Sequence, residues 1–143
     1  MNYADTGFLV SLYLPETTTG TATAEIARVT EPLAFTPLLR LELRNAFNFA
    51  IARRRLTLAK RDAIWRLIEI QREDGFFLDL VPPTSDLYTK AVELSDRHTP
   101  TLATRSLDLV HVATAVIISA QTFLSFDDRQ RRAASAEGLR VRP

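Results

Sequence analysis

Cysteine is absent from this 143-residue chain. That excludes disulfides, thiolate metal sites and a cysteine nucleophile. Histidine is scarce, and His98 and His111 alone leave little material for a zinc site. Glycine occurs only four times, and no low-complexity segment, internal repeat or linker interrupts the chain. Long apolar runs are missing as well: the strongest, from Leu107 to Ala120, contains Asp108 and His111 and is too short to span a bilayer. No Lys or Arg precedes the first apolar stretch, so the pattern of a secretory leader is lacking. A cytoplasmic protein with no membrane partner is the expectation. Charge of neither sign dominates, with 18 basic residues against 17 acidic ones. Hydrophobic residues make up 46% of the chain and charged residues 24%, as in ordinary globular proteins. A chain of this length predicts one domain, residues 1–143, burying roughly two-thirds of its unfolded surface.

What is present is a recurring pattern of short apolar stretches that stop at a carboxylate. "MNYADTGFLV" opens the chain, and its first strand-like piece, Asn2 to Ala4, ends at Asp5. Near the other end, "FLSFDDRQ" breaks off at Asp127. Asp is a poor strand residue, so both positions point to a site. Between them, strands are expected at "PLAFT", "FFLDLV" and "TFLSF", with "LRV" as a last one. Helical spacing marks residues 6–14, then "TTTGTATAEIARV", then about 38–54. Thr57 can cap a helix running to Gly75, with Ile64, Leu67 and Ile68 on its apolar side. Further helices are expected over "TSDLYTKAVELSDRH", over the buried "SLDLVHVATAVIISA", and over "DRQRRAASAEG", closed by Gly138. Strands alternating with helices predict a parallel sheet covered on both faces, whose chemistry sits at the carboxyl ends of its strands.

Two more acids stand where carboxylates are costly. Glu42 falls within the apolar arc of its helix, between Phe49 and Ala46, while Arg40, Arg44 and Asn48 take the other side. It is either an ion pair with an arginine or a ligand. Asp108 lies on a helix that is apolar nearly all round, on one stripe with His111 and Ser119. It is either a helix-start residue favoured by the dipole or a second inward ligand. Together, Asp5, Glu42, Asp108 and Asp127 would repel one another unless a divalent cation held them. Carboxylate and water ligands suit Mg²⁺ or Mn²⁺, which can polarise a phosphoryl oxygen and activate a water. Two basic clusters, Arg53–Arg54–Arg55 with Lys60 and Arg61, and Arg129, Arg131, Arg132, Arg140 and Arg142, read as solvated faces or as phosphate contacts.

The stretches "YADTGFLVSLYLPE", "LLRLELRNAF", "RSLDLVHVATAV" and "FLSFDDRQRRAASAEGLRV" resemble, in order and over almost the whole chain, the motifs of PIN-domain ribonucleases, particularly VapC-type toxins of prokaryotic toxin–antitoxin pairs. The resemblance implies an α/β fold, a three-layer α/β/α sandwich with a central parallel sheet. It also implies a Mg²⁺- or Mn²⁺-dependent endoribonuclease whose catalytic and metal-binding acids fall on Asp5, Glu42, Asp108 and Asp127. RNA as substrate, commonly transfer RNA, a small antitoxin as partner, and a homodimer come with it. Gly7 departs from the pattern, standing where many relatives carry a hydroxyl. Ser125 could orient the site, Asp128 reads as a helix-start group, and His111 as a packing histidine. The apolar first helices offer the antitoxin a docking surface through Phe8, Leu12 and Tyr13, residues that could equally pack the core. A catalytically silent RNA-binding or protein-binding module is the alternative. Haloacid-dehalogenase chemistry is set aside, because it needs a second Asp where Gly7 stands.

Overall fold

The computed structural model describes residues 1–143. Its five strands are short: β1 (Tyr3–Ala4), β2 (Leu33–Phe35), β3 (Phe77–Asp79), β4 (Thr122–Leu124) and β5 (Arg140–Arg142). All pair in parallel, β1 with β4, β4 with β5, and β2 with β3. A bridge from Asn2 to Leu33 joins the two groups, giving the order β3-β2-β1-β4-β5. Seven helices connect them: α1 (Thr6–Tyr13), α2 (Thr19–Ile26), α3 (Pro37–Ala52), α4 (Leu58–Glu73), α5 (Thr84–Leu102), α6 (Ser106–Ile117) and α7 (Asp128–Ala136). The chain winds outward from β1 through β2 to β3, then returns past β1 to β4. Right-handed crossovers in opposite directions place their helices on opposite faces. α1 packs on α2 and α3, and α5 packs on α6 and α7. The result is the expected α/β/α sandwich.

Local chemistry sets where the helices start. Thr36 accepts from Leu39 N at 3.2 Å, and Pro37 opens α3 where a missing N–H costs nothing. Thr57 caps α4 by accepting from Lys60 N, as its sequence position predicts. Gly138 follows α7 with a φ of +83°, a left-handed turn that favours glycine. The core is built on aromatic rings around the sheet. Tyr3 and Phe123, paired across β1 and β4, stack with centroids 5.8 Å apart, and Phe35 meets Phe77 at 5.0 Å across β2 and β3.

Several expectations need correction. Leu67 is 47% exposed, because α4 lies at the rim, on α3 and β3, and buries only Ile68 fully. The helix expected to end near His98 runs on through Pro100 to Leu102, since one proline removes a single backbone donor close to the end. Ser119 lies beyond α6, exposed at a φ of +52°, and leaves the polar stripe. Phe8 is wholly buried against Phe126, so it cannot serve as a docking residue; Leu12 and Tyr13 are half-buried.

Phe123→Ala should therefore cost about 3–5 kcal/mol in denaturant unfolding, through lost burial and a cavity beside Tyr3. Leu67→Ala, at a site that still faces water, should change stability by less than about 0.5 kcal/mol.

Candidate active site

The strand order reverses between β1 and β4, and in such sheets the crevice beyond the strand ends at that point is where ligands bind. Asp5, Asp108 and Asp127 each sit at a helix start, whereas Glu42 lies within α3. Asp5 follows β1 and caps α1, its Oδ1 accepting from Phe8 N at 2.7 Å. Its own N–H donates to Leu124 O of β4 at 3.0 Å. Ser125, directly after β4, donates its hydroxyl to Asp5 Oδ2 at 2.6 Å and accepts from Asp127 N at 3.0 Å. Asp127 caps α7: its Oδ1 accepts from the backbone of Arg129 and Gln130, and its Oδ2 from the Arg129 guanidinium at 3.2 Å. Asp128, exposed in the first turn of α7, makes none of these contacts.

The other two acids come from helix faces. Asp108, buried in the first turn of α6, accepts from Arg105 N at 2.8 Å and from the Gln130 amide at 3.1 Å. It is thus a helix-start residue and also a member of the site wall. Glu42 pairs with no arginine. Its Oε2 accepts from the Thr6 hydroxyl at 2.5 Å and lies in ion-pair contact with His111 Nε2 at 2.8 Å. Its place in the helix is also less enclosed than the wheel implies, since neighbouring Phe49 is exposed and lies under Arg53. Thr6, Glu42, Arg105, Asp108, His111 and Gln130 line a cleft of about 360 Å³.

His111 is the residue that sequence reasoning undervalued. It does pack in the core, but both ring nitrogens are engaged, Nε2 with Glu42 and Nδ1 with the Tyr3 hydroxyl at 2.8 Å. The signal was its position three residues after Asp108, on the same helix face. The basic clusters fare differently. Arg53 lies at the far end of α3, eleven residues past Glu42. At about 1.5 Å per residue, roughly 16 Å of helix separates that cluster from the cleft, so it does not flank the acids. Arg105 and Arg129 are the cations at the site.

Electrostatics distinguishes the acids. Burial pushes the Asp5 carboxyl above its ordinary range, and the nearby Asp127 charge adds to it; Ser125 and Phe8 offset this only in part. Burial also works against charge on Glu42, yet the His111 and Thr6 hydrogen bonds outweigh it and hold that carboxyl low. Asp127 is held low against burial in the same way, by Arg129 and the α7 N-terminus. No ion pair engages Asp5 or Asp108.

Residues 3–136 match the PIN domain. The chain belongs to the PIN-domain family. Its fold is similar to that in the crystal structure of FitAcB from Neisseria gonorrhoeae, with a TM-score of 0.70 and 18% identity over 100% of this chain and 97% of that one. At that identity the likeness concerns the fold. No curated protein matches the sequence. PIN domains are generally nucleases and generally use divalent ions such as Mg²⁺. In this PIN domain, no three His, Asp or Glu side chains stand close enough to hold an ion between them as they are arranged. The donor set nevertheless fits a hard dication in its chemistry. Carboxylate oxygens dominate it, Glu42 Oε1 has no donor, and Gln130 Oε1 is buried without a partner. No helix is long and apolar enough to cross a membrane.

A buried, uncompensated Asp5 has a consequence for stability. Because its folded pKa is raised above the unfolded value near 3.8, it binds protons more tightly when folded. Its contribution is therefore present at low pH and lost as pH rises through the folded pKa. In EDTA, Asp5→Asn should raise the melting temperature at pH 8, and the gain should shrink to nothing as pH falls below 4. A thermal-shift series across that range checks the sign.

Proposed function

We propose that this chain is a metal-dependent endoribonuclease, a VapC-type toxin of a toxin–antitoxin pair, with residues 1–143 as its single catalytic domain. The observation that supports the reading is that Glu42 and Asp108 line one cleft at the topological switch point, while Asp5 and Asp127 are linked through Ser125 at the neighbouring strand ends, in a chain of a nuclease family. Asp5, Glu42, Asp108 and Asp127 would hold Mg²⁺ or Mn²⁺. When bound, the ion supplies Lewis-acid polarisation of a phosphoryl oxygen and lowers the pKa of a water.

The chain's own residues do the rest. Ser125 ties the Asp5 carboxylate to the start of α7, donating to Asp5 Oδ2 and accepting from the Asp127 backbone N–H. Gly7 leaves the approach to Asp5 open: a Cβ there would lie 3.6 Å from Asp5 Oδ1. Thr6 supplies the hydroxyl missing at position 7, but gives it to Glu42. Arg105 and Arg129 place cationic groups beside the acids, where they can hold the RNA backbone. Transfer RNA as the substrate, a small antitoxin, a homodimer and a cytoplasmic location belong to the same reading. A silent binding module would keep the RNA contacts and lose the chemistry.

Cleavage of a labelled single-stranded RNA decides between them. Asp5→Asn and Asp127→Asn should each slow cleavage at fixed Mg²⁺ by at least about a hundredfold, or roughly 2.7 kcal/mol. Asp128→Asn should stay within about threefold. Cleavage that persists in EDTA, or in Asp5→Asn, would overturn the reading. Millimolar Mn²⁺ should also raise the melting temperature of the wild type, since the ion binds the folded site and hardly the unfolded chain.

A further inference from the structure

Glu42 is held by one oxygen only. Oε2 accepts from the Thr6 hydroxyl and lies 2.8 Å from His111 Nε2, whereas Oε1 has no hydrogen bond. A carboxylate can only accept, so His111 Nε2 must carry a proton. In a neutral imidazole that makes Nδ1 the acceptor, and the group facing it is the Tyr3 hydroxyl at 2.8 Å. Tyr3 is suited to donate. It is fully buried, its ring is clamped against Phe123, and burial with the Asp5 charge pushes its ionisation far above the usual range. His111 itself is 3% exposed and sits on α6, the best-buried helix of the fold.

We infer that Tyr3 and His111 form a positioning relay for Glu42, in which the tyrosine selects the Nε2–H tautomer of His111. That N–H, with Thr6, pins Oε2 and leaves Oε1 as the oxygen offered to a divalent cation. His111 is a positioning residue and moves no proton. The relay rests on the metal-dependent reading of the site, and it adds two residues, Tyr3 and His111, that the four acids do not include. Physically, it answers a problem particular to Glu42. The residue projects from the middle of a helix, with no backbone N–H free to orient it, whereas Asp5 and Asp127 are oriented as helix caps. Partners that orient a ligand typically alter metal affinity by about 10–100-fold when removed.

The test uses Mn²⁺ alone, titrated calorimetrically into the full-length protein, with circular dichroism and melting temperature as checks of folding. His111→Leu should weaken Mn²⁺ binding at least about tenfold. His111→Gln, which restores an N–H within reach of Glu42, should recover affinity to within about threefold of wild type, a rescue that simple core packing would not give. Tyr3→Phe keeps the ring and removes only the hydroxyl, so it decides the matter should His111→Leu fail to fold; it should weaken binding several-fold. Nitrogen-15 spectra of the metal-free protein should show His111 as the Nε2–H tautomer, with that preference lost in Tyr3→Phe. Unchanged Mn²⁺ affinity in folded His111→Leu or in Tyr3→Phe, or an Nδ1–H tautomer in the wild type, would overturn the relay. A wild type that binds no Mn²⁺ would instead sink the metal reading, with the tautomer spectra still deciding the geometry proposed here.

Discussion

Asp5 places a carboxylate at the centre of the sheet's carboxyl edge with two hydrogen-bond donors and no ion pair. Everything nearby is arranged around that charge. Ser125 follows β4 so that its hydroxyl can reach Asp5, and the same oxygen accepts from the Asp127 backbone. Asp127 in turn brings Gln130 N into the cap of α7, and the Gln130 amide extends to Asp108. One chain of polar contacts thus links β1, β4, α7 and α6. A buried network of this kind is costly when incompletely satisfied, which is a reason to expect a cation to complete it.

The acids are structural parts before they are chemical ones. Asp5 and Asp127 are helix caps, and Asp108 closes the first turn of α6. Carboxylates are favoured at all three places because unpaired N–H groups and the helix dipole converge there. A parallel sheet collects such helix starts along one edge, since each strand that ends there hands the chain to a helix running back. The concentration of negative charge is a by-product of the topology, and the fold bears its cost at Asp5.

Much of this was legible from residue pattern. The strand end at Asp5, the caps at Thr57 and Gly138, and the enclosed character of α6 follow from local preferences that tertiary contacts do not override, whereas β4 stops at Leu124, three residues before Asp127. Leu67 was misjudged, and Phe8 left open between docking and core packing, for one reason. Periodicity says which residues share a helix face, but not how much of that face a neighbour covers. Leu67 projects at the rim of the fold and stays wet; Phe8 meets Phe126 and is lost to solvent. The Arg53–Arg55 cluster shows the same limit, since closeness to Glu42 in sequence became a helix length in space.

By itself, the sequence determined the alternation of strands and helices and the placement of Asp5 directly after the first strand. Those features depend on neighbours within a few residues. Only the tertiary structure decided that Glu42 meets a histidine and not an arginine, that Thr6 serves Glu42, and that Ser125 spans two strand ends. It also decided that Tyr3 stands behind His111. These contacts join residues 36 to 120 positions apart, Thr6 with Glu42 and Asp5 with Ser125 at the extremes. Hydrogen-bond partners at such separations are chosen by strand order and helix packing, which no local pattern encodes.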